Sequence, residues 1–136
     1  MGWEKVKITA DTNVLVRAMT GDDERQSRIA RTALADAEIV AVAMPALCEL
    51  VWILSQGYKI PASEVGEAVR RLVASANVVA DRAAVAAGLA FLAGGGDFAD
   101  GVIAHEGTWL GADTFASFDK AAVKLVEAQG GSARLL

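Results

Sequence analysis

From Ile39 to Leu54 the chain reads IVAVAMPALCELVWIL, 16 residues whose apolar character is interrupted only by Pro45 and Glu49. No other stretch limits the fold as sharply. A membrane span needs roughly 20 consecutive apolar residues, so this run is too short for one. Pro45 divides it. Proline suits the first turn of a helix, where its missing N–H would have had no partner. The run therefore reads as a buried, β-branched strand over Glu38–Val42 that passes into a buried helix with Pro45 in its first turn, ending near Gly57. Glu49 is the anomaly. An unpaired carboxylate buried among Leu47, Cys48, Leu50 and Val51 would cost several kcal/mol or shift its pKa. It needs a partner, a wet stripe or a chemical role. The stripe it would share with Trp52 and Gln56, at i+3 and i+7, would leave an indole exposed, which is unexpected.

The rest of the chain alternates strand and helix signals. Lys5–Ala10 reads as a first strand, and ADTN turns the chain into a helix. GDDER opens another helix, with Asp22 as its N-cap and Ile29, Ala33 and Leu34 as its inner face. Pro61 and Ser63 open a helix carrying Val65, Val69, Leu72 and Val73, followed by a short strand over Asn77–Val79. Asp81 starts an alanine-rich helix that stops at Gly94–Gly96, and DFAD begins one that ends around Gly107–Gly111. Thr114–Phe118 reads as a strand, Asp119 as the start of a helix closed by Gly130 and Gly131, and Ala133–Leu136 as a last edge strand. This order implies a parallel sheet with helices on both faces. At 136 residues and 54% hydrophobic composition, the expectation is a single domain over residues 1–136 with a real core.

Carboxylates recur where such a sheet binds ligands, outside the carboxyl ends of its strands. Asp11 directly follows the first strand, Glu49 lies one turn into the helix after the second, Asp97 and Asp100 start a helix, and Asp119 follows a later strand. Each aspartate taken alone is also a good helix cap, since Asp is among the preferred N-cap residues. Asp22 and Asp81 take helix starts with no evident chemistry. Glu49 has no such explanation. Together, Asp11, Glu49, Asp100 and Asp119 are expected to converge on one pocket. Two charges 4 Å apart repel by about 4 kcal/mol at an effective dielectric near 20, so such a set calls for protons or cations. Hard oxygen donors without a thiol or histidine pair select Mg²⁺ or Mn²⁺. Such ions activate water and stabilise the charge that builds up in phosphodiester cleavage.

The net charge of −4 and pI near 4.9 argue at first against nucleic acid. Setting the four acids aside leaves 13 of the 17 Asp and Glu against 13 Lys and Arg, a balanced surface. Arg25, Arg28 and Arg31, at i, i+3 and i+6, form a candidate basic ridge, and Lys120 and Lys124 flank the last acid. Cys48 is the sole cysteine, which fits a reducing cytosol. MGWEKVKITAD turns polar too soon for a signal peptide, and Val6 stands where myristoylation wants Ser or Thr. The expected location is the cytoplasm, with no membrane association.

ADTNVLVR, CELVWIL, DFADGVIAH and SFDKAAVKL, in this order, resemble the motifs of PIN-domain nucleases, and most closely those of VapC-type toxins of bacterial toxin–antitoxin pairs. The resemblance implies an α/β/α sandwich with a mostly parallel central sheet. It implies that Asp11, Glu49, Asp100 and Asp119 bind the metal, that Asp97 is an auxiliary acid at the rim, and that Asn13 and Ser117 orient the first and last acids by hydrogen bonds. It further implies Mg²⁺- or Mn²⁺-dependent endoribonuclease activity, a homodimer, and inhibition by a cognate antitoxin protein. Ala43 and Met44 depart from the Ser or Thr cap expected before the Glu49 helix, and Gly101 stands where alanine is common. Both departures would loosen helix starts beside the site.

A metal-free ribonuclease commonly uses two histidines, and the chain has only His105. A phospho-accepting receiver domain wants adjacent acids after its first strand, and ADTN supplies one. A haloacid-dehalogenase-like phosphatase wants DxD there, and Asn13 holds the second place. The remaining alternative is a catalytically weak PIN-like module that binds RNA or protein.

Overall fold

The computed structural model describes Gly2 and residues 5–136, so the N-terminal reading on Met1, Trp3 and Glu4 lies outside it. The chain forms two compact units, residues 1–81 and 82–136. Strand pairing is parallel throughout the described residues, with a three-stranded sheet in the first unit and a two-stranded sheet in the second. Seven α-helices alternate with these strands among the described residues, and the α/β class expected from the sequence is the class observed.

In the first unit, β1 (Lys7–Thr9) pairs with β2 (Ile39–Ala41), which pairs with β3 (Val78–Val79). β2 is central, and its Val40 is fully buried, as the β-branched run required. α1 (Thr12–Met19) and α2 (Glu24–Asp36) pack together. The N-cap of α2 is Asp23, whose carboxylate accepts from the Gln26 N–H at 3.0 Å, rather than Asp22. Asp22 instead accepts a hydrogen bond from the Tyr58 hydroxyl at 2.5 Å. The inner face of α2 is Ser27, Ala30 and Ala33, while Ile29 is 56% exposed, against expectation. Those three share one face at i, i+3 and i+6, and Ile29 lies about 100° of helix rotation away from Ala30.

α3 (Met44–Trp52) starts after β2 with Pro45 in its first turn, and continues as a single π turn over Ile53–Gly57. α4 (Ala62–Ala74) leads to β3, and its buried Val65, Val69 and Leu72 show the predicted helical spacing. Asn77 fastens that arrival: its side-chain amide donates to the carbonyls of Leu34 at 2.8 Å and Ala37 at 2.9 Å. These end α2. Leu15, Val40, Leu47, Leu50, Leu54, Val65 and Val69 make a dry core for this unit.

The second unit opens with α5 (Arg82–Ala93) and α6 (Phe98–Trp109), the most closely packed pair of helices in it. Their closeness has a cause. A Cβ on Gly101 would sit 2.5 Å from the Ala87 carbonyl oxygen, and one on Gly88 would sit 2.6 Å from the Phe98 ring. Gly101 is therefore a packing requirement and does not loosen the helix start. β4 (Thr114–Ser117), α7 (Lys120–Ala128) and β5 (Ser132–Leu135) complete the unit, with Phe91, Ala122 and Val126 buried together. No helix among the described residues is long and apolar enough to cross a membrane.

Candidate functional site

The parallel register places the carboxyl end of each strand on a common edge of its sheet, and the predicted acids follow from there. In the first unit the edge bonds continue one step past the strands, from Ala10 N–H to Ala41 O and from Val42 N–H to Val79 O, 3.0 and 2.9 Å. Asp11 comes next and caps α1, its Oδ1 accepting the Thr12 N–H at 2.9 Å. Glu49 is one turn into α3. Both carboxylates are exposed and line one pocket, together with Thr9, Ala43, Pro45 and Ala46. Glu49 is thus not buried among its apolar neighbours. α3 is amphipathic: Met44, Leu47, Leu50 and Val51 face the core. Trp52, 62% exposed, joins Glu49 on the wet side, contrary to the expectation that an indole would not be left there.

Ala43 caps α3 without a side-chain hydrogen bond, as the missing Ser or Thr foretold, and Pro45 in the first turn removes one of the donors such a cap would serve. Asn13 is exposed in the first turn of α1, and the hydrogen bond held by the Asp11 carboxylate comes from the backbone of Thr12.

In the second unit Asp97 caps α6, accepting the Ala99 N–H at 3.1 Å. Asp119 caps α7, its Oδ1 accepting the N–H groups of Ala121 at 2.9 Å and Ala122 at 3.3 Å. Ser117 accepts the Asp119 N–H at 2.9 Å, so it fixes the backbone that carries the acid. Asp100, in the first turn of α6, is half-buried. Burial first, and then the negative charges of Asp97 and Asp119, raise its carboxyl above the ordinary aspartate range. Asp97 and Asp119 are therefore near enough to act on Asp100.

The predicted acids fall into two groups, Asp11 with Glu49 and Asp100 with Asp97 and Asp119. Among the described residues no group of three or more His, Cys, Asp or Glu stands ready to hold a metal ion. The donor set nevertheless suits one. It consists of hard oxygens, and the ion pairs found among the described residues, Lys7–Glu38 at 3.8 Å and Arg71–Glu67 at 3.1 Å, take none of them. A divalent cation at Asp100 would relieve the charge crowding that its neighbours impose.

The flanking basic residues divide. Arg25 and Arg28 are exposed on α2, while Arg31 donates to the Ala18 carbonyl at 2.8 Å near the end of α1. His105 is half-buried, its Nε2 enclosed without a hydrogen-bond partner among the described residues.

Parallel strands with carboxylates at their carboxyl ends define an α/β protein whose acids lie where such sheets bind ligands. The family model described as PIN domain matches residues 8–127, most of the chain and parts of both units. The chain belongs to the PIN domain family. PIN domains are generally nucleases and usually bind divalent metals. No curated protein matches the chain.

Proposed function

We propose that this PIN domain is a Mg²⁺- or Mn²⁺-dependent endoribonuclease, with Asp11, Glu49, Asp100 and Asp119 holding the metal at a single site. The observation that carries this reading is the setting of Asp100, half-buried with the negative charges of Asp97 and Asp119 acting on it and part of neither ion pair found among the described residues. When bound, the metal would lower the pKa of water and neutralise charge on the phosphoryl oxygens. The protein's own part is positional. Capping bonds from Thr12, Ala121 and Ala122 hold the Asp11 and Asp119 carboxylates, and Ser117 steadies the Asp119 backbone. Asp97 is the auxiliary acid at the rim, and Asn13 and Ser117 are the polar residues that orient the first and last acids. In-line attack of water on the phosphodiester leaves 5′-phosphate and 3′-hydroxyl ends.

The same reading extends to a VapC-type toxin role in the cytoplasm, as a homodimer checked by a cognate antitoxin protein. It treats residues 1–136 as one functional domain. Support comes from the four motifs in order and from a family match that runs into both units. A short reading frame beside the gene, encoding a protein with a DNA-binding N-terminus, would be its direct genetic counterpart.

The test is cleavage of a defined RNA with and without Mg²⁺, by wild type, Asp11→Ala and Asp100→Ala. The expected result is cleavage by wild type alone, abolished by EDTA. Equal cleavage by all three proteins, or full activity in EDTA, would sink the reading. RNA binding without turnover in Mn²⁺ would favour the binding-module alternative.

A further inference from the structure

Trp52 is the large apolar residue of α3 that is left exposed. Met44, Leu47, Leu50 and Val51 fill the inner side of the helix, and Leu54 extends that side beyond it. Trp52 stands three residues past Glu49, a rise of about 4.5 Å along the helix on the same side. Immediately after it the backbone enters the π turn over Ile53–Gly57, a departure from α geometry found frequently at functional sites. The second unit repeats the juxtaposition with different elements. Phe118, 82% exposed, lies between Ser117 at the end of β4 and Asp119 at the cap of α7. Each unit thus sets an exposed aromatic ring within three residues of one of its acids.

We propose that Trp52 in its unit, and Phe118 in the other, each offer a stacking surface for a base of single-stranded RNA. The inference rests on the nuclease reading and adds to it the residues that hold the substrate. Carboxylates repel phosphates, so an acidic site cannot hold a strand by its own charges. Bases are neutral, and an aromatic face accepts any of them. A rigid ring with two side-chain torsions loses little entropy when a base stacks on it. A strand held this way is gripped by its bases while its backbone is presented to the acids.

The chain contains Trp3, Trp52 and Trp109, so the W3F/W109F double variant leaves Trp52 as the sole indole reporter. Its fluorescence is followed as a short unstructured oligoribonucleotide is added, in EDTA and again with Ca²⁺ in place of Mg²⁺. Binding is measured in parallel by anisotropy of a labelled oligonucleotide. Quenching is expected, with about 5- to 150-fold weaker binding for Trp52→Ala. Trp52→Phe should lose less, and Phe118→Leu should also weaken binding. Absence of quenching, or equal affinity of Trp52→Ala and wild type, would overturn the proposal. So would a change in oligomeric state with affinity unaltered, which would assign Trp52 to a protein contact. The two readings fail separately. Quenching by a protein that never cleaves RNA leaves stacking standing and removes the nuclease. Cleavage with unaltered affinity in the variants does the reverse.

Discussion

Asp11 and Glu49 lie exposed on the rim of a pocket, whereas Asp100 is half-buried with the charges of Asp97 and Asp119 acting on it. The first unit lets water screen its acids; the second sets a carboxylate where water screens it less. The difference follows from how each acid is mounted. Glu49 is on the outer side of an amphipathic helix whose inner side supplies the core. Asp100 is half-buried in the first turn of a helix that packs closely against α5 at Gly88 and Gly101. The consequence is that stability and chemistry should respond differently to the same kind of substitution in the two units.

The largest effect expected concerns activity. Asp11→Asn in the first unit and Asp119→Asn in the second should each lower kcat by roughly 10²-fold or more, the scale on which removal of one electrostatic stabiliser acts. If both serve one site, the double variant should be little worse than the poorer single one, since groups that act as a unit are strongly non-additive. Multiplying effects would instead make them two independent sites and break the reading of a shared metal. Glu49→Gln should weaken metal binding and leave the fold intact.

Next in size is the helix pair of the second unit. Gly101→Ala brings a Cβ against backbone and should destabilise by about 1–3 kcal/mol. Gly107→Ala, on the same helix with nothing within 4 Å of the added carbon, should stabilise by up to about 1 kcal/mol. Urea midpoints of the two variants, moving in opposite directions from wild type, are the check. Equal shifts would remove close packing at Gly101 as the cause of the difference.

The smallest effect is a pH dependence. Because the fold raises the Asp100 carboxyl, the native state holds its proton more tightly than the unfolded chain does. Its contribution to stability is therefore fully present below 3.8 and is lost as pH rises through the raised value. Asp100→Asn removes that loss. The stability difference between variant and wild type should grow across this window and level off towards neutral pH, a trend that chemical unfolding at several pH values would reveal. A constant difference would mean that Asp100 is not charge-crowded.

Element positions were legible to within about two residues because Pro, Gly and Asp punctuate this chain so consistently. Pro45 before α3 and Asp97 and Asp119 before α6 and α7 are examples. What escaped prediction depends on partners distant in sequence. Asp22 and Asp23 are equally good caps locally; the Tyr58 hydroxyl, 36 residues away, is what engages Asp22. Ile29 reads as core by hydropathy, yet α2 turns its small residues inward. The π turn after Trp52 has no periodic signature in five residues. At the candidate site the places of Asp11 and Asp119, each just after a strand and at a helix cap, could be read from the sequence. The division of the acids into an exposed pair and a crowded group could not, because the burial of Asp100 and its nearness to Asp119 are set by tertiary packing that no local pattern encodes.

The Asn77 amide has a consequence for how this protein tolerates change. It closes a loop of some 40 residues by gripping the last carbonyls of α2, at separations of 40 and 43 in sequence. Loop-closure entropy grows only slowly with length, by about 0.6 kcal/mol for each doubling. Residues added between the π turn and α4 therefore cost little while the clasp holds. Removing the amide leaves carbonyls at the end of α2 without their donor. Insertions between the π turn and α4 must spare the Tyr58 N–H to Ile53 and Ile60 N–H to Leu54 carbonyl bonds, at 3.2 and 3.1 Å, while Asn77 remains the fixed point of the loop.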